Sequence, residues 1–218
     1  MRYSILVGTV VLSFALNSQA QNRSTEKMDS GRSSISGGGL FVEPILSYST
    51  EQASIKTSQL PVISDDTSGE TRGVGVGSRL GFHISEILFF GADGRYARTR
   101  FDDSSYGSAD GSSYNLGPVV GIQTPVAGLR VWTSYAMLGE FDPGPGHQGF
   151  DVKFNDPRGW RIGAGFHLLS VSLNLEYQDL TYATTEIQSF GSINGGGDSS
   201  VDFNNQGWTA SLSFPVEL

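Results

Sequence analysis

Three histidines are the residues of this chain best suited to acid–base or metal chemistry. His83 and His167 stand at the ends of two segments of alternating polarity, whereas His147 lies in the polar stretch Gly-Pro-Gly-His-Gln-Gly. No third ligand joins His83 and His167 at a recognisable spacing, so we predict no metal site. His147 with Asp151 or a loop serine is the only local pair that resembles a catalytic arrangement, and its spacing is not characteristic. We therefore expect no catalytic residue and no cofactor.

Neighbouring carboxylates form a second candidate, because oxygen ligands can hold a divalent cation. Asp65-Asp66 and Asp102-Asp103 are such pairs, but neither matches a calcium-loop pattern. With 22 acidic and 14 basic residues the net charge is −8, which disfavours nucleic acid as a partner. The chain has no cysteine, so disulfides and thiolate metal sites are excluded. We expect the clustered acids to be a solvated anionic surface.

The remaining charges follow a period of two, which is typical of a β-strand with one apolar face. The clearest segment runs from Leu129 to Phe141. One of its faces carries Leu129, Val131, Thr133, Tyr135, Met137 and Phe141, and the other Arg130, Trp132, Ser134, Ala136, Leu138 and Glu140. The same test predicts eight strands, at about residues 40–50, 72–83, 87–100, 113–124, 129–141, 158–168, 170–182 and 206–217.

The connections between these segments alternate in length. Long polar connections follow strands one, three, five and seven, at Glu51 to Thr71, Phe101 to Ser112, Asp142 to Pro157 and Ala183 to Asn205. Strands two, four and six are followed by short turns at Ile84 to Glu86, Pro125 to Gly128 and Leu168 to Ser170. Short periplasmic turns and long extracellular loops are typical of outer-membrane barrels. We therefore predict an all-β, eight-stranded, antiparallel up-and-down transmembrane β-barrel, with both termini periplasmic. A secreted β-sandwich is the alternative, although it does not require such alternation.

The two faces of the predicted strands have different roles. The polar face would fill the lumen with four arginines and four carboxylates as a balanced ion-pair network: Glu43, Arg79, Asp93, Arg95, Arg130, Glu140, Arg161 and Glu176. The apolar face would meet lipid, with amphipathic rings at the membrane interface: Tyr48, Tyr96, Tyr114, Trp160, Tyr177 and Trp208. An eight-stranded barrel is only wide enough for its own side chains, so we expect a plugged lumen.

Prolines within strands predict local defects, because proline has no N–H to donate. Pro44 and Pro215 lie near the periplasmic ends of the first and last strands, so we expect gaps in the ladder where these strands pair. We also expect a bulge at Gly117-Pro118.

The N-terminus reads as a secretory signal. Arg2 precedes a run of about 12 apolar residues from Ile5 to Leu16, and Ser18 and Ala20 have the spacing that signal peptidase accepts. We predict a signal peptide at residues 1–20, a flexible periplasmic segment at 21–39 and the barrel at 40–218.

These features together resemble the small outer-membrane β-barrel family that includes the OmpA transmembrane domain and OmpX. The similarity covers Leu40 to Leu218 and is architectural. It implies a Gram-negative outer membrane, contact with its lipid and lipopolysaccharide, insertion by the barrel assembly machinery and a monomeric state. The chain departs from many such proteins because it ends on Leu218 and not on an aromatic residue.

Three functions remain open at this stage. The first is a non-enzymatic structural or surface-interaction role that acts through the extracellular loops. The second is a narrow, porin-like passive channel for small or hydrophobic solutes. The third is an outer-membrane lipid-modifying enzyme that would use His147.

Overall fold

The computed structural model describes residues 39–55, 67–103, 107–124, 128–145, 150–168, 170–190, 193–199 and 203–218, and their regular elements are all β-strands. No helix in these ranges is long and apolar enough to cross a bilayer. The expected signal peptide, residues 21–38 and His147 lie outside the described residues.

Eleven strands form one antiparallel sheet that closes on itself. They are β1 (Gly39–Ile55), β2 (Thr67–His83), β3 (Leu88–Asp103), β4 (Gly107–Gln123), β5 (Leu129–Ala136), β6 (Leu138–Asp142), β7 (Phe150–Leu168), β8 (Val171–Phe190), β9 (Ile193–Ser199), β10 (Phe203–Ser213) and β11 (Val216–Glu217). β5 and β6 together make one barrel strand between β4 and β7, and β9, β10 and β11 make another between β8 and β1. The result is a ring of eight barrel strands, which confirms the predicted antiparallel barrel.

The barrel has a turn end and a loop end. The turn end carries residues 84–87, 124, 128 and 170 and both described termini, and β1, β3, β6 and β8 run towards the loop end. The strands extend further towards the loop end than predicted: β1 continues to Ile55, β2 begins at Thr67 and β8 reaches Phe190. The ladder continues there although the outward face has become polar, so a search for alternating apolar residues ended these strands too early.

Outward-facing side chains form an apolar band that ends at one level. On β1 the outward residues from Leu40 to Tyr48 are apolar, and the next two are Thr50 and Gln52. Eight residue steps of about 3.3 Å, tilted by about 40°, give a height of about 20 Å, close to the band of about 25 Å in outer-membrane barrels.

An aromatic belt marks the loop-end edge of this band. It consists of the six predicted interface residues Tyr48, Tyr96, Tyr114, Trp160, Tyr177 and Trp208, which all point outward and are 37–57% exposed. Adjacent strands bring the rings together: Tyr96 lies opposite Tyr114, and Tyr177 lies opposite Trp208 with ring centroids 5.2 Å apart. The rings therefore share one level of the outer wall, and their place at a membrane interface stays a prediction.

One extra residue separates β5 from β6. Val119 pairs with Ser134, but Leu116 pairs with Leu138. Between these two pairs β5–β6 therefore contains one residue more than β4. The extra residue is Met137, and both Met137 and Leu138 point outward. The predicted irregularity at Gly117-Pro118 is present, but the bulged residue is on the partner strand.

This bulge corrects the predicted orientation of two residues. Beyond Met137 the side-chain alternation is reversed, so Phe141 points inward at 1% exposure and Glu140 points outward opposite Tyr114. Glu140 therefore does not belong to the lumen network, and its carboxylate instead lies 3.4 Å from the Lys153 ammonium. A shift of one residue exchanges the two faces of a strand.

On β7 and β8 the alternation of inward and outward side chains reverses nearer the loop end. Phe154 and Arg161 both point inward although the offset between their positions is odd, and Asp156 between them has a φ of 57°. On β8, Tyr182 and Thr185 are both buried. Phe141 and Phe154 therefore enter the lumen because of these local reversals.

The first and last barrel strands close the ring with a gap. β1 pairs with β10 from Ile55 to Ile45 and with β11 at Val42 and Phe41, and the ladder is interrupted around Pro44 and Pro215. The register is the same on both sides of the gap, and the Phe214 N–H donates to the Pro44 carbonyl at 2.9 Å. The interruption predicted from the prolines is therefore present.

Candidate functional site in the barrel lumen

Seven charged side chains meet in the lumen at the level of the apolar band. This charged layer consists of Glu43, Arg79, Asp93, Arg95, Arg130, Arg161 and Glu176, contributed by β1, β2, β3, β5, β7 and β8. All seven side chains are less than 10% exposed. The structure thus brings together seven of the eight residues predicted for the network, and Glu140 is the exception.

Arg79 is at the centre of this layer. It lies between two carboxylates in a row of paired residues that crosses β1, β2 and β3. Glu43 pairs in register with Arg79, and Arg79 with Asp93. The Arg79 Nε donates to Asp93 Oδ2 at 2.7 Å, and its Nη2 donates to Glu176 Oε2 across the lumen at 3.3 Å. Arg79 Nη1 lies 3.6 Å from Glu43 Oε1. A single guanidinium therefore contacts three carboxylates.

The other three arginines satisfy the same carboxylates. Arg130 donates to both oxygens of Glu43 at 2.8 and 2.9 Å, a bidentate geometry that is favourable for a desolvated pair. Arg95 bridges Asp93 at 2.7 Å and Glu176 at 3.0 Å. Each of the three carboxylates contacts at least two arginines, so none is left without a counter-charge.

Arg161 extends the layer to neutral side chains. Its Nη1 lies 3.4 Å from Asp93 Oδ1, and its Nη2 donates to Asn115 at 2.9 Å and to Gln178 at 3.1 Å. The amide oxygens of Asn115 and Gln178 therefore help to solvate the Arg161 guanidinium, and Arg161 is only 5% exposed.

Trp132 packs under the charged layer. The Arg79 guanidinium lies 4.3 Å from the centre of its ring, within the range of a cation–π contact, and its indole N–H donates to Glu176 at 3.4 Å. Gly163 provides the space, because a Cβ there would lie 2.4 Å from the Trp132 ring. Trp132 and Gly163 are paired across the adjacent strands β5 and β7, so the glycine leaves room for the indole ring that packs against Arg79.

The sequence prediction missed Glu51 as a lumen residue. It points inward at 7% exposure and accepts a hydrogen bond from Asn205. Its signal was its even spacing from Glu43 along β1, but the predicted strand ended at residue 50. Glu51 restores four lumen carboxylates against four arginines, although within the described residues it makes no ion pair shorter than 4 Å.

Apolar side chains close the lumen on both sides of the charged layer. The turn-end aromatic layer consists of Phe41, Phe89, Val119 and Trp132. The loop-end aromatic layer consists of Ala53, Phe101, Ala136, Phe141, Val152, Phe154, Leu180, Tyr182 and Phe203. In the latter, Phe203 stacks on Phe154 and Phe141 at centroid distances of 4.1 and 5.1 Å. The plug is therefore aromatic as well as ionic, which the sequence had not predicted.

The histidines do not form a site with one another. His83 points inward beside Phe41 and lies 3.7 Å from Glu217, and His167 contacts the Ser172 hydroxyl at 2.9 Å. Within the described ranges no three His, Cys, Asp or Glu side chains are placed to hold a metal ion. Asp151 lies on β7, and His147, its partner in the predicted pair, lies outside these ranges.

Solved structures were the comparison that returned proteins of similar fold. No family model matches the chain, and no curated protein matches it. Among solved structures, the outer membrane protein OprG from Pseudomonas aeruginosa aligns with a TM-score of 0.51 at 10% identity, covering 84% of this chain and 98% of OprG. AlkL in lipid bilayers aligns at 0.47 and 14% identity, covering 90% of this chain and 97% of AlkL. Neisserial surface protein A aligns at 0.40 and 14% identity, covering 82% and 98%. From the ring of eight strands and the OprG alignment, this chain has the fold of the small outer-membrane β-barrel proteins.

Proposed function

We propose that this chain is a monomeric outer-membrane β-barrel with a closed lumen, which serves a structural or surface-interaction role through its extracellular loops. The observation that carries the proposal is the filled interior. A charged layer lies between two aromatic layers, and Arg79, at its centre, is completely buried. An ion that crossed the barrel would have to displace packed rings and break several buried ion pairs.

The proposed orientation places the turn end in the periplasm. Outer-membrane barrels have short periplasmic turns and longer extracellular loops. The two described termini both lie at the turn end, where the Leu218 N–H donates to the Leu40 carbonyl at 2.9 Å. In this orientation the aromatic belt lies at the outer leaflet, the loops are available to lipopolysaccharide or surface partners, and the barrel assembly machinery would insert the chain from the periplasmic side.

Conductance tests the closed lumen directly. The purified barrel is reconstituted in planar bilayers, with a general diffusion porin as the positive control for insertion. We expect no stable openings, because buried charged and aromatic side chains fill the described part of the lumen. Stable, stepwise openings of the wild-type protein would contradict the proposal.

A passage for small hydrophobic solutes is a second candidate, and the loop-end aromatic layer favours it. Phe141, Phe154 and Phe203 offer an apolar environment in a part of the lumen that a hydrophilic pore would line with polar groups. Liposomes that carry the barrel would then take up a small aromatic hydrocarbon faster than protein-free liposomes. A rate equal to that of protein-free liposomes excludes this candidate.

A further inference from the structure

All outward-facing arginines of the described residues lie immediately beyond the aromatic belt, at the loop end. Arg72, Arg98 and Arg158 are each the first outward residue after the apolar band on their strands, and Arg100 is the second on β3. The outward face of the described turn end has no lysine or arginine. In a chain of net charge −8, this placement concentrates positive charge at one membrane interface.

Three of these arginines form a cluster on β2 and β3. Arg72 lies directly opposite Arg100, and Arg98 lies opposite Val74 and therefore diagonal to Arg72. Directly opposed side chains have Cβ atoms about 5 Å apart and diagonal ones about 7–8 Å. Three guanidinium groups can consequently surround one anion the size of a phosphate. Without an anion, this proximity of like charges is unfavourable.

The carboxylates near the cluster leave it open towards the bilayer. Arg72 donates to Glu70 at 2.9 and 3.0 Å, and Arg100 lies 3.6 Å from Asp102 and 3.9 Å from Asp110. Glu70 and Asp102 are paired in register one outward position further from the belt. Cations therefore face the lipid and anions face the solvent.

Arg98 is the member nearest the belt, and it has no ion pair within the described ranges. On its β4 side, Arg98 itself lines a groove of about 400 Å³ together with Asp110, Asp142 and Asp151, and these carboxylates would repel an anion there. The β2 side carries Arg72 and no acid at the level of Arg98. An anion held by Arg98 would thus sit between β2 and β3.

We propose that Arg72, Arg98 and Arg100 bind a phosphate group of an anionic glycolipid headgroup in the outer leaflet. Guanidinium groups match phosphate oxygens in a bidentate geometry. The adjacent Val74, Val76 and Tyr96 are 63%, 47% and 45% exposed and would contact the acyl chains and sugar of the same lipid. The inference rests on the proposed membrane orientation, and it does not depend on whether the lumen conducts.

The test measures binding of bisphosphorylated lipid A to the purified barrel in phosphatidylcholine nanodiscs. We expect saturable binding that weakens with added salt. Arg98→Gln with Arg100→Gln should lower the affinity at least about tenfold, because two of three charge-assisted contacts are lost. Arg158→Gln is the matched control, since this arginine is isolated at the same level of the wall, and it should change the affinity less than about twofold. Glu70→Gln frees Arg72 and should tighten binding.

Three results would overturn the proposal. They are equal affinity of the double variant and Arg158→Gln, undiminished binding of dephosphorylated lipid A, and competition by inorganic phosphate at the concentration of the lipid itself. The last would assign the cluster to free phosphate. Heat-modifiable migration on gels verifies that each variant is folded.

Discussion

At the scale of single residues, burial separates charges that look alike in the sequence. Glu43 and Glu140 both stand on a predicted polar face, yet Glu43 is 0% exposed between two arginines and Glu140 lies outside the barrel beside Lys153. A buried carboxylate that stabilises two guanidinium groups is costly to remove, because the remaining cations lose their counter-charge. An exposed pair contributes little, because water screens it.

The replacement Glu43→Ala should therefore lower the free energy of unfolding by about 3–5 kcal/mol. Arg130 would lose its bidentate partner and Arg79 one of three carboxylates. The matched control Glu140→Ala should cost less than about 1 kcal/mol. Urea titration of the barrel in lipid vesicles, followed by tryptophan fluorescence, measures both values. Equal losses would show that the charged layer does not stabilise the fold as the geometry indicates.

Residue-level prediction from the sequence was accurate within the apolar band and failed beyond it. The seven members of the charged layer were identified because alternation between polar and apolar residues is uninterrupted there. Glu51 was missed because the outward residues Thr50 and Gln52 are polar, which hides the alternation. The aromatic rings of Phe101, Phe154 and Phe203 were unassigned for the same reason: above the belt the inward face is the apolar one.

At the scale of elements, the extra residue Met137 determines which side chains of β6 point into the barrel. No periodicity in the sequence marks the bulge, because Met137 and Leu138 are both apolar and suit either face. The proline at position 118 hinted at an irregularity but did not show which strand carries it. The bulge brings the Tyr135 carbonyl against β4, where a Cβ on Gly117 would lie 1.7 Å from that oxygen.

Gly117→Ala should consequently destabilise the barrel by about 1–3 kcal/mol or more, because the backbone of β5 must move. Gly94 on the neighbouring β3 offers a matched control: a Cβ there would lie 3.4 Å from the nearest side-chain atom, an ordinary contact. Gly94→Ala should therefore change the stability by less than about 0.5 kcal/mol. The comparison uses urea midpoints in vesicles. A Gly117→Ala variant as stable as Gly94→Ala would mean that β5 approaches β4 less closely than described.

At the scale of the whole molecule, the apolar band and the belt define which part of the wall would be immersed in the bilayer in the proposed membrane placement. Alternation and connection lengths were sufficient to predict eight strands and their order. They could not give the height of the wall above the belt, since hydrogen bonds between strands leave no trace in hydropathy. The band itself is set by side chains and was correctly anticipated.

The position of the band predicts a depth-dependent cost for a charge on the outer wall. Leu175 is 53% exposed within the band, and Thr50 is the first outward residue beyond the belt on β1. Leu175→Arg should cost about 2–4 kcal/mol on folding into vesicles, and Thr50→Arg about 0–1 kcal/mol for its depth plus less than about 1 kcal/mol for the like charge of Arg72 opposite it. Reversible refolding into vesicles measures the difference. Similar costs at both positions would place the bilayer elsewhere on the barrel.

The gap between the first and last barrel strands also affects the order in which the barrel forms. Every other pair of neighbouring barrel strands is consecutive along the chain, whereas Ile45 and Ser213 meet from opposite ends of the polypeptide. Contacts between distant parts of a chain form late, because closing a long loop costs entropy. Pro44 and Pro215 leave the joint that closes last with missing hydrogen bonds at its turn end. Completion of the ring is therefore the step at which the nascent barrel stays open longest to water, lipid or another strand.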